Sequence, residues 1–64
     1  MAKEDLKELS RRMLDYRAKH NLSQIKFAKL CNLTHQTICY IENCAQEPTR
    51  LTVRKILNVI EKED

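Results

Sequence analysis

Apolar residues recur at three- and four-residue intervals in four stretches of this chain, separated by short polar breaks. Leu6, Leu9, Met13 and Tyr16 make one stripe, Phe27, Ala28 and Cys31 a second, Ile38 and Ile41 a third, and Val53, Ile56, Leu57 and Ile60 a fourth. That spacing gathers side chains on one face of an α-helix. It predicts an all-α chain with helices over residues 3–20, 23–31 and 34–43 and a last one beginning after Thr49. Ser23, Thr34 and Thr49 stand where N-caps are needed, since each hydroxyl can accept from backbone N–H groups one turn in. Asp5 is a candidate cap for the first helix, with Glu4, Asp5 and Glu8 favourably placed at its positive end.

The chain contains no glycine, so its turns fall to other residues. Asn21, Asn32 and Asn43 each follow an apolar stripe, and asparagine tolerates the left-handed backbone of a helix end better than any residue but glycine. Residues 22–43 therefore read as two short helices at a steep angle, with Asn32 at the reversal and Leu33 plugging the corner. Pro48 biases Glu47 out of helical backbone, which makes residues 43–48 a loop.

The outer face of the third helix carries His35, Gln36, Cys39 and Tyr40. A solvated helix face usually carries Lys and Glu, which favour helix and cost nothing exposed. This one offers neutral donors and acceptors, suited to base edges in a major groove and free of carboxylate repulsion from phosphates. Residues 34–43 are therefore the expected recognition helix. Gln36 can pair with N6 and N7 of adenine, Cys39 is small enough for close approach to a thymine methyl, and Thr37 fits a sugar or phosphate contact. His35 has three readings: a base donor, a phosphate contact when charged, or a surface residue. Tyr40 either reads a base or folds its ring back on the core. Lys26 and Lys29 can add phosphate contacts, and Arg50 stands near enough to the loop to do the same.

Leu22-Ser23-Gln24, Phe27-Ala28, the turn Asn32-Leu33-Thr34, then Ile38, Ile41-Glu42-Asn43 and Pro48 resemble the Cro and lambda-repressor-like helix-turn-helix family of DNA-binding regulators. The likeness extends outward to Arg17, Thr52-Val53 and Ile56, and so covers nearly the whole chain. It implies a small four-helix lambda-repressor-like domain, with the family's fifth helix absent or vestigial in the ending Glu61-Lys62-Glu63-Asp64. It further implies that Gln24 and Asn43 hold the DNA backbone, that Glu47 points away from it, and that Arg17 pairs with Glu42. That pair is either a surface contact worth ~0–1 kcal/mol or a partly buried clamp on the recognition helix. The family usually has glycine at the positions of Asn32 and Cys44. Cys44 is expected to leave the recognition helix without its usual cap.

Composition narrows the partners. The 64 residues hold one domain, residues 1–64, and bury only about 60% of the unfolded surface. Net charge is +3, a mild pointer to a polyanion. The lack of glycine excludes Gly-rich phosphate loops, and no nucleophile–base constellation is evident, so neither an enzyme, a cofactor nor a small-molecule substrate is expected. Cys31, Cys39 and Cys44 are odd in number and lack a C-x-x-C pair, which favours free thiols in a reducing compartment over a disulfide or a metal site. No apolar run approaches the ~20 residues of a membrane span, and the opening residues lack a signal segment, so a cytoplasmic location is expected. Ile25 and Leu30 fall where the family tends to be polar. They are either ordinary exposed aliphatics or a contact surface for a protein partner.

The expected function is sequence-specific binding of duplex DNA by a transcriptional regulator, a repressor of bacterial or phage type. A homodimer on DNA is an open arrangement. The alternative is a protein-interaction module, such as an antitoxin-like adaptor on the same fold.

Overall fold

The computed structural model describes residues 3–62, and for Lys3 the backbone alone. Four helices follow one another: α1 (Lys3–His20), α2 (Gln24–Cys31), α3 (His35–Glu42) and α4 (Arg50–Glu61). Glu63 and Asp64, half of the ending where the family's fifth helix is expected to be absent or vestigial, lie outside the described residues.

The caps make the contacts their chemistry allows. The hydroxyls of Ser23, Thr34 and Thr49 accept from the backbone N–H of Lys26, Thr37 and Thr52 at 3.1, 3.2 and 3.2 Å. Asp5 is not a cap. The helix already includes Lys3, so Asp5 lies in the first turn, where its charge favours the positive end of α1.

Three helix ends share one closure. Asn21, Asn32 and Cys44 have φ of 55°, 58° and 55°. Each donates its N–H three residues back, to Ala18, Lys29 and Ile41, and the following N–H of Leu22, Leu33 or Ala45 reaches five back, to Arg17, Ala28 or Tyr40, at 2.8 Å. This is the Schellman arrangement. It corrects two expectations about α3. The left-handed residue is Cys44, while Asn43 sits at φ −90°, and the end of α3 is closed despite the missing glycine. The paired bonds hold Cys44 in a conformation that its Cβ makes costly.

Leu6, Leu9, Met13, Phe27, Ala28, Cys31, Ile38, Ile41 and Ile56 form the buried core, and Tyr16, Leu22, Leu33, Val53, Leu57, Val59 and Ile60 pack around it. The ring of Tyr16 lies 5.7 Å from that of Phe27, centroid to centroid. Of the α4 stripe only Ile56 is fully buried, and Val59 shares the partial burial of Val53, Leu57 and Ile60. A 12-residue helix packed against both α1 and α2 spreads its contacts over a broad face instead of one narrow row. Burial raises the Cys31 thiol from 9.0 to about 11.

Ile25 and Leu30 are about half exposed, at 53% and 54%. Five residues apart on one helix, they point about 140° away from each other, so they do not make a common patch. No helix is long and apolar enough to cross a membrane, among the described residues.

Candidate nucleic-acid interface

The only charged side chain of α3 is Glu42, and it faces inward. Arg17 Nη1 donates to both of its carboxylate oxygens, at 2.7 and 2.9 Å, and Arg17 Nε donates to the Leu22 carbonyl at 3.2 Å. The Glu42 side chain is 5% exposed and that of Arg17 20%. The Ser10 hydroxyl donates to the Glu42 backbone carbonyl at 2.9 Å, a second tie from α1 to the end of α3. With its carboxylate hidden and paired, α3 presents an uncharged face to solvent.

That face is pre-arranged. His35 and Gln36 are exposed in the first turn, with Cys39 and Tyr40 half-buried one turn later. Gln36 Nε2 donates to the Tyr40 hydroxyl at 2.6 Å, which orients the amide and leaves its oxygen and second N–H available. Tyr40 is half-buried. Its ring borders a shallow hollow with Thr37, Ile41, Gln46, Glu47, Pro48, Thr49 and Thr52, while its hydroxyl stays on the outer face. Asn43 Nδ2 donates to Cys39 Sγ at 3.4 Å. The Thr37 hydroxyl lies 2.8 Å from that of Thr34.

Gln24, at the start of α2, touches both neighbours. Its Nε2 donates to Glu42 Oε1 at 2.7 Å, and its Oε1 lies 2.8 Å from His35 Nε2. The structure thus brings together Arg17, Glu42, Gln24 and His35 in one line and Gln36 with Tyr40 in another. Lys26 is exposed on α2. Arg50 is not gathered with the rest, since it borders a separate hollow along α4 with Val53, Arg54, Leu57, Asn58 and Glu61. Glu47 is exposed and borders the hollow that Thr37 and Tyr40 also line. The Gln36–Tyr40 pair was missed in the sequence although its four-residue spacing signals it. The Gln24–His35 pair carries no local signal, because it spans the turn.

A family model for the helix-turn-helix of Cro/C1 type, the XRE family, matches residues 13–63. The chain belongs to this family. Its four-helix architecture is that of a small lambda-repressor-like domain. Comparison with curated proteins gave no match, and comparison with solved structures gave none. The XRE-type helix-turn-helix is a DNA-binding fold, so the chain stands among DNA-binding regulators rather than among an enzyme family. Among the described residues no group of His, Cys, Asp or Glu side chains is arranged to hold a metal ion.

Proposed function

We propose that this XRE-type domain is a cytoplasmic, sequence-specific transcriptional repressor of bacterial or phage origin that lays α3 in the major groove of duplex DNA. The observation that carries this is the outward face of α3: His35, Gln36, Cys39 and Tyr40, all uncharged or neutral donors and acceptors, with Glu42 turned in and paired to Arg17. His35, Gln36, Cys39 and Tyr40 read base edges, and Gln36 with its amide oriented by Tyr40 suits adenine. Gln24 at the N-terminus of α2, Lys26, Thr37 and Asn43 contact phosphates and set the register. Arg50 joins them by swinging out of its hollow along α4. The Arg17–Glu42 clamp holds α3 at the angle that the groove requires. No cofactor or enzymatic step belongs to this role.

In vitro selection from randomised duplex DNA at near-physiological salt tests it. An enriched inverted repeat with half-sites one turn apart, ~34 Å between centres, identifies a homodimer on DNA, and a single enriched half-site a monomer. Absence of enrichment would refute sequence-specific binding and favour the protein-interaction reading. That alternative is weakened by the divergent directions of Ile25 and Leu30.

A further inference from the structure

Four side chains on three helices form a line of hydrogen bonds whose sense is set from one end. A guanidinium only donates and an ionised carboxylate only accepts, so Arg17 is the donor to Glu42 at 2.7 and 2.9 Å. Glu42 Oε1 accepts again from Gln24, 2.7 Å away, which obliges that amide to turn its NH2 toward the carboxylate. Its carbonyl oxygen is then the atom 2.8 Å from His35 Nε2. A carbonyl oxygen cannot donate, so the hydrogen in this last bond sits on His35 Nε2. In a neutral imidazole only one nitrogen carries a hydrogen. The other, Nδ1, is therefore a bare acceptor on an exposed side chain in the first turn of α3.

We propose that the Arg17–Glu42–Gln24 line fixes the tautomer of His35, so that His35 reads DNA as a hydrogen-bond acceptor through Nδ1. It rests on α3 occupying the groove, as proposed above. In the major groove adenine N6 and cytosine N4 are amino donors, whereas guanine presents N7 and O6, both acceptors. His35 accordingly selects a base with an exocyclic amino group and rejects guanine. This replaces the three uses that the residue alone allows with one. Arg17, Glu42 and Gln24 are positioning residues in this scheme, and His35 determines specificity.

Two measurements test the two halves. Long-range proton–nitrogen NMR of the 15N-labelled free protein, at mildly alkaline pH, reports which ring nitrogen of His35 bears the hydrogen. The expected spectrum has hydrogen on Nε2 and a bare Nδ1, relaxing toward a tautomer mixture in Gln24→Ala, which keeps the Ser23 cap and the Arg17–Glu42 pair. Hydrogen on Nδ1, or the same mixture in both proteins, overturns the tautomer lock. The second measurement uses the selected DNA site, at the base where His35→Ala flattens the preference. There, guanine in place of the amino-bearing base should weaken wild-type binding about five- to tenfold, the scale of one hydrogen bond. It should leave His35→Ala nearly unaffected. A wild-type preference for guanine overturns the acceptor role. If no DNA preference exists at all, the groove reading and the acceptor role fall together, while the NMR result still decides the tautomer.

Discussion

Arg17→Met is the substitution whose cost the structure specifies most fully. It strips Glu42 of the donor that contacts both of its oxygens and leaves a carboxylate of 5% exposure with Gln24 Nε2 as its remaining side-chain donor. Breaking a buried pair by removing one partner costs roughly 3–5 kcal/mol, against ~0–1 for an exposed pair. Arg17 is 20% exposed and Gln24 still helps, so the electrostatic part should fall to about 2 kcal/mol. Loss of the Arg17 Nε bond to the Leu22 carbonyl adds about 1 kcal/mol. The sum, about 3 kcal/mol, is large for a chain of 64 residues, whose total stability at 0.05–0.15 kcal/mol per residue is roughly 3–10 kcal/mol. Urea unfolding followed by helical circular dichroism measures it, and the melting temperature should drop by about 12–24 °C. Arg17→Met with Glu42→Leu should recover most of the loss, because an apolar pair of similar volume avoids the buried charge. A cost below about 1 kcal/mol for the single change, with no recovery in the double, would show that the pair is an ordinary surface contact and not a clamp.

Other outcomes follow from particular residues. Cys44→Gly should stabilise by about 0.5–1 kcal/mol by relieving a left-handed cysteine, whereas Asn32→Gly should be nearly neutral; equal effects in paired melts would refute the strain assigned to Cys44. The Cys31 thiol, raised from 9.0 to about 11 by burial, binds its proton more tightly folded than unfolded. Stability should therefore be unaffected by this group below pH 9 and fall as pH rises toward about 11, and the fall should be smaller in Cys31→Ala when unfolding is compared across that range. The salt dependence of DNA binding should have a slope of about −1.8 per copy if Lys26 and Arg50 both reach phosphate, and Arg50→Ala should halve it. An unchanged slope in that variant would leave Arg50 in its α4 hollow.

Much of the fold is local and was legible for that reason. The stripes at helical spacing fixed which faces are buried, and Ser23, Thr34 and Thr49 marked three helix starts within a residue. Asn21 and Asn32 marked two of the three left-handed turns, since their side chains make that backbone tolerable. Cys44 by its own chemistry did not announce the third, and only the family's usual glycine at that position pointed to it. Nothing in a cysteine favours positive φ, and the turn is imposed by the bonds that close α3 and carry the chain on toward α4. The partial burial of Val59 depends likewise on where α4 lies, which periodicity alone leaves open. At the interface, the composition of the α3 face could be read one residue at a time. The link from Arg17 through Glu42 and Gln24 to His35 depends on three helices meeting, so it emerges only with the fold.

That α3 reads bases while α2 holds the backbone is tested by titrating two variants against a selected duplex and a set of its single-base changes. Gln36→Ala should lose about 1–3 kcal/mol on the selected site and flatten the preference at one or two positions, while Lys26→Ala should weaken every sequence alike. Equal loss on all sequences from both variants would contradict the placement of α3 in the groove.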